Sequence, residues 1–230
     1  MPLAGTAGTA MAMGAALVAG AAGEALAAAR RRRRWWRESS YLPSMNPLPK
    51  EVWARRLSFA AYLATVARNR ETFEEVYRQP SHRAADLAWL RALPPLRVLA
   101  IAEEWCPDVY HTLPTWARLV EDLPGWELGV FSRDANPDVM EPFLWQGDRQ
   151  RIPVYAFYLA DRLQVWWSGR GAAAEQALAG LLAGRGVADL DEDERRRVTL
   201  LLQEGYRREF RRQNFEEVLA LLRAFFHVAA

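Results

Sequence analysis

The chain has one cysteine and three histidines in 230 residues, and Lys50 is its single lysine. One thiol excludes an intramolecular disulfide and any cysteine-built metal cage. His82, His111 and His227 stand far apart, and none has metal-ligand spacing to another histidine or to Cys106, so no metal site is predicted. A glycine-rich phosphate loop is also missing. GRGAAAE, residues 169 to 175, opens a predicted helix but lacks the lysine and spacing of a P-loop, and no cofactor-binding set is predicted. All but one of the 30 basic residues are arginine, and 28 acids balance them to a net charge of +2. These arginines mostly alternate with acids instead of gathering on one face, so no nucleic-acid partner is expected. The heavy use of alanine, glycine and arginine is that of a GC-rich genome.

The chain as a whole is 51% hydrophobic and 11% aromatic. That suffices for one sizeable core with an additional helical layer. Residues 1–29 are low in complexity and rich in alanine, with Glu24 their only charge, and the arginine run Arg30 to Arg34 follows. An export signal would place positive charge before the apolar stretch, not after it. A membrane helix has the length but little driving force from alanine and glycine. A disordered extension, or a start of translation at Met45, is the alternative. The protein is expected in the cytoplasm, with membrane anchoring or export following only if residues 1–29 act as a targeting segment.

From Pro47 to about Leu93 the pattern is helical. Trp53, Leu57, Ala60, Ala61 and Ala64 fall at three- and four-residue steps and predict one shared face. Phe73, Val76 and Tyr77 mark a second helix, and Ala84 to Leu93 a third, stopped by Pro94-Pro95. Strands are then predicted at LRVLAI (96–101), WELGVF (126–131), VYAFYL (154–159) and QVWW (164–167), the last two around the turn Ala160-Asp161-Arg162. Helices are predicted at 107–123, 138–145 and 172–182. Trp145, Trp166 and Trp167 belong to strand core or to an aromatic surface. The order βαβαββα predicts an α/β fold with one mixed sheet flanked by helices. Two more helices follow Gly186. Asn214, with Glu217 three residues later, predicts a capping box for the last one, and Leu219, Leu222 and Phe226 predict its core-facing stripe. The chain thus divides into an extension over 1–44, N-terminal helices over 45–95, an α/β unit over 96–185 and C-terminal helices over 186–230.

Several stretches in this order resemble thioredoxin. EEWCPDV, residues 103–109, stands where that family carries Glu-Trp-Cys-x-x-Cys. RDANPDVM (133–140) is similar to its Asp-x-Asn-Pro segment, Arg151-Ile152-Pro153 to its Ile-Pro pair, and QVWWSGR with the following helix to its final hairpin and helix. The pattern Arg-Asp-x-Asn with a following Met, within residues 133–140, also looks like a set of bacterial thioredoxin-like proteins of unsettled role. The resemblance runs from about Leu96 to Leu182. It implies a thioredoxin-like fold with extra N-terminal and C-terminal helices, a cis bond before Pro153, Cys106 as the reactive residue, and a substrate-binding surface at Trp105, Pro107, Ile152 and Pro153.

The departures from the family bear on chemistry. Val109 occupies the place of the resolving cysteine, which closes the usual dithiol-disulfide cycle. Ala100 stands where the family keeps a buried aspartate that assists proton transfer to that second cysteine. Cys106 itself precedes a predicted helix, whose first N–H groups and dipole favour a thiolate. Glu103, Glu104 and Asp108 oppose this with like charge. Asp134 and Asn136 are read as turn and capping residues. Two functions follow. In the first, Cys106 forms a mixed disulfide with a protein or a low-molecular-weight thiol, and an external thiol releases it. In the second, the fold is a redox-inert binding or scaffold protein. Exposure of the sulfur separates them: the first fails if Cys106 is buried or inert.

Overall fold

A computed structural model describes residues 45–79, 82–145 and 147–226. The readings placed on residues 1–29 and on His227 lie outside these residues. Among the described residues, no helix is long and apolar enough to cross a membrane.

Four strands form one mixed sheet: β1 (Leu96–Ala102), β2 (Glu127–Ser132), β3 (Val154–Leu159) and β4 (Arg162–Ser168), in the order β2-β1-β3-β4. β1 runs parallel to β2, with Ile101 opposite Phe131, and antiparallel to β3, with Ala100 opposite Tyr155. β1 and β3 are central and almost wholly buried, so they read as unbroken apolar runs instead of alternating ones. β4 begins at Arg162, which pairs with Leu159, so the turn is shorter than the sequence suggested and sits on Ala160, in the left-handed region. On the outer edge of β2, Leu57 exchanges both backbone hydrogen bonds with Val130, at 3.0 and 2.8 Å, and covers one step of that edge.

The N-terminal region is broken into α1 (Lys50–Ala54), α2 (Phe59–Thr65), α3 (Arg70–Arg78) and α4 (Ala84–Arg91). The single face predicted through Trp53 and Ala64 does not exist. The chain leaves helix at Arg55 to make the Leu57 bridge and re-enters behind Ser58, whose hydroxyl accepts from the Ala61 N–H at 3.1 Å. Trp53 is buried, but Ala60, Ala61 and Ala64 face solvent, and α2 uses Tyr62 for the core instead. Alanine satisfies a helical apolar pattern without needing burial, which is why the pattern misled.

α5 (Pro107–Glu121) crosses from β1 to β2 with Pro107 in its first turn, where the missing N–H costs nothing. The next helix, α6, is only Pro137–Met140, continued by a 3-10 turn over Glu141–Phe143. It is shorter than predicted because Pro142 removes a donor. α7 (Ala172–Leu182) matches its predicted span. α8 (Glu192–Gly205) starts on a capping box between Asp191 and Glu194. A π turn over Tyr206–Phe210 then carries the chain without a break into α9 (Arg211–Phe225). Gly205 leaves room for the Phe210 ring, which would lie 2.1 Å from a Cβ there.

The predicted cap at Asn214 is overturned. Asn214 lies inside α9 and is buried, and Glu217 accepts from the Ala172 N–H at 2.6 Å, so it caps α7, not its own helix. The stripe fares better: Leu219 and Leu222 are buried, with Phe226 packed partly against them. α9 lies against α5 and β4. Trp116 joins the layers there, with ring centroids 5.3 Å from Phe157 and 5.3 Å from Phe215. Trp167 is strand core, while Trp166 is half-buried against Phe143 at 5.6 Å.

Candidate functional site: the corner between the first strand and its helix

β1 ends at Ala102, and the next four residues turn the chain into α5. Glu103 and Glu104 hold this turn. The Glu103 carboxylate accepts from the Ser132 hydroxyl and the Asp134 N–H, both at 2.8 Å, tying β1 to the loop after β2. Glu104 accepts from the N–H groups of Ala67 at 2.5 Å and Arg68 at 3.1 Å, fixing the segment between α2 and α3 over the corner. Both acids are therefore used as anchors. Asn136 closes the neighbouring turn by donating to the Ser132 carbonyl at 2.9 Å, and Asp134 pairs with Arg133.

Cys106 is the residue preceding α5, and it is only 6% exposed. Its thiol donates a long hydrogen bond, 3.8 Å, to the Ile152 carbonyl. The Ile152–Pro153 peptide is cis, and both residues are buried. Cys106, Ile152 and Pro153 thus meet at one point. Pro107 is half-buried beside them. Trp105 is 47% exposed, with the Arg133 guanidinium 5.2 Å over its ring. Val109 is fully buried, as is Ala100 on the strand below.

Burial pushes the Cys106 thiol up to about 12, and the Asp108 carboxylate adds to the rise. The N–H groups of Val109 and Asp108, then Arg170, pull the other way and lose. Helix-start activation therefore exists here but is outweighed. Cys106 also lies near Tyr62, Tyr110, Tyr155 and Tyr206, each raised chiefly by its own burial.

Asp108 carries a second structure that the sequence did not announce. It is buried and takes a two-pronged ion pair from Arg170, with Nε–Oδ1 at 2.9 Å and Nη2–Oδ2 at 2.8 Å. The Tyr206 hydroxyl donates to the same carboxylate. Arg170 comes from the turn after β4 and Tyr206 from the π turn, so Asp108 fastens the C-terminal helices to the corner that holds Cys106. Pro-Asp at a helix start was visible in the sequence. Nothing marked Tyr206, 98 residues away, as its partner.

His111 faces the same C-terminal layer. Its ring stacks on Tyr206, with centroids 4.8 Å apart and planes at 9°. Burial lowers its pKa to about 3, helped by Arg211 and Arg207. With its pKa this low it is neutral near pH 7, packed between Tyr110 and Tyr206. Among the described residues, no group of three or more histidine, cysteine or acidic side chains is placed to hold a metal ion.

A family model described as Thioredoxin matches residues 56–181. No curated protein matches the chain. Two solved structures are similar to it. One is a protein of unknown function, PA1234, from Pseudomonas aeruginosa, at 17% identity and a TM-score of 0.55, covering 76% of this chain and 96% of that one. The other is an HIV 4E10 epitope-scaffold protein, at 20% identity and a TM-score of 0.53, covering 78% of this chain and 98% of that one. At these identities the likeness is one of fold.

Proposed function

The chain belongs to the thioredoxin family, and from that premise we propose that it is a binding protein built on the thioredoxin fold, with Cys106 kept as an unreactive thiol. Its recognition surface is exposed Trp105 with half-buried Pro107, beside the covered Ile152–Pro153 pair, and its partner is an extended segment of another protein. The observation that carries this reading is the state of Cys106, covered and with its pKa pushed up to about 12. Exchange with a disulfide requires a thiolate, and at pH 7 such a group supplies about one part in 10⁵. Val109 leaves no second sulfur to resolve a mixed disulfide. Exposed Trp105 supplies a rigid aromatic contact of the type that anchors protein partners.

A second reading has one observation in its favour. The sulfur does sit at the start of α5, where two N–H groups pull its pKa down. If a partner uncovers it, the thiolate attacks one sulfur of a disulfide, a new S–S bond forms, and the other sulfur leaves as thiolate. An external thiol then reverses the step.

Alkylation by iodoacetamide against pH, read by intact mass with Cys106→Ser as blank, separates the two. No modification until the protein unfolds supports the binding reading. A thiolate titrating below about pH 7.5 overturns it and establishes the exchange reading.

A further inference from the structure

We propose that α8 is the contact surface for a second copy of this chain, packed antiparallel against the same helix of its partner about a two-fold axis at Leu200 and Leu201. Leu200 is 59% exposed and Leu201 47%, and they are adjacent on a helix that is otherwise polar on its outer side. Single exposed leucines need no explanation, but a consecutive pair flanked by ordered charge does.

The charges are self-complementary. At about 100° per residue, Asp193, Arg197, Leu200, Leu201, Glu204 and Arg208 share one stripe within about 50° of its centre line. All face solvent or are half-exposed. A two-fold axis between Leu200 and Leu201 sets each residue opposite the one equally far on the other side. Arg197 then meets Glu204 of the second copy, Asp193 meets Arg208, and the leucines meet in the middle. Every opposition on the stripe is attractive or apolar. A two-fold interface requires such a self-complementary patch, whereas like charges placed opposite one another would forbid it. Among the described residues, Asp193 and Arg197 make no ion pair, although they stand four apart on one helix. Arg208 remains on the stripe despite the π turn, because it reaches Glu204 at 2.8 Å. A single helix pair buries little area, so the dimer is a weak and transient one.

Sedimentation velocity of the full chain from about 1 to 200 µM tests this. The expected result is a shift towards twice the 26.1 kDa chain mass across that range. Leu200→Asp with Leu201→Asp should weaken association by at least about 100-fold while leaving the circular dichroism spectrum unchanged. Arg197→Glu should weaken it about tenfold, and adding Glu204→Arg to the same chain should restore it, since the swap rebuilds both cross-pairs. A monomer throughout the range overturns the proposal. So does a dimer indifferent to the leucine changes, which would use another face. Failure of the charge swap to rescue overturns the antiparallel register. None of these outcomes depends on whether Cys106 reacts.

Discussion

Asp108 and Glu204 each take an arginine at 2.8 Å, and the two pairs could hardly differ more in consequence. Asp108–Arg170 is buried, joined by Tyr206, and spans three segments that are distant in sequence. Glu204–Arg208 lies within one helical stretch and is washed by solvent on both sides. In water the attraction is screened, and the entropy of holding two long side chains cancels most of it. In the buried corner neither charge can recover hydration, so the pair is nearly obligatory once made. Distance alone therefore says little about which contact organises the molecule. The buried pair joins the C-terminal helices to the cysteine corner. The exposed one is free to exchange partners, which is what an association surface needs.

The sharpest way to break this contrast is Asp108→Asn. It keeps the shape and removes the charge, leaving the largely buried Arg170 with only its longer contact to Glu175, at 3.7 Å. The expected loss is about 3 kcal/mol of folding stability by urea titration. Alkylation of Cys106 should also speed up, because the carboxylate that raises its pKa is gone. A loss under about 1 kcal/mol would mean that Asp108 is held no more tightly than a surface acid.

The stacked His111 tests the same buried layer through pH. Its pKa is near 6.5 when unfolded and about 3 when folded. The folded state resists protonation, so the unfolded state binds more protons between these values and stability rises with pH there. The contribution is complete above pH 6.5 and is lost as pH falls towards 3. At pH 5 it amounts to about 2 kcal/mol relative to pH 7. His111→Phe keeps the stack on Tyr206 and should lose about that much less on going from pH 7 to pH 5. Equal losses would show that the imidazole already finds a proton in the folded protein.

Tyr206→Phe removes one hydrogen bond to a charged acceptor and leaves the ion pair in place. It should cost about 1.5 kcal/mol, with hydrogen exchange rising first in the π turn and the start of α9. Exchange that rises uniformly would mean that Tyr206 does not locally fasten this layer.

The contrast also explains what could be read from the sequence. Strand and helix order between Leu96 and Leu182 was legible because each element is bounded by proline, glycine or aspartate and the central strands are continuous apolar runs. The single-cysteine corner was legible because Trp105, Cys106 and Pro107 are neighbours in the chain. The direction of the Cys106 shift was not, since it is decided by how deeply the fold covers the sulfur, which meets the Ile152 carbonyl 46 residues away. Asn214 and Glu217 had the right spacing for a cap, but the π turn has no breaking residue and let one helix run through them. Glu103 and Glu104 looked like charge around a thiol. In the fold their carboxylates are taken up by backbone N–H groups and the Ser132 hydroxyl, and the acid that acts on the sulfur is Asp108.

The smallest effect belongs to the exposed pair. Glu204→Gln removes its charge, and an exposed pair four residues apart is worth about 0.3–0.5 kcal/mol. Unfolding measured at 1 µM protein, below the concentration at which copies associate, should therefore shift by no more than about 0.5 kcal/mol, and added salt should erase even that. The same change at 200 µM should weaken self-association, because Glu204 then lacks the charge that meets Arg197 of the second copy. An effect that grows with protein concentration is the signature of a surface contact, and the buried Asp108 pair should show none. If Glu204→Gln instead lowers stability equally at both concentrations, the charge works within its own chain, and the distinction between the two pairs is one of degree only.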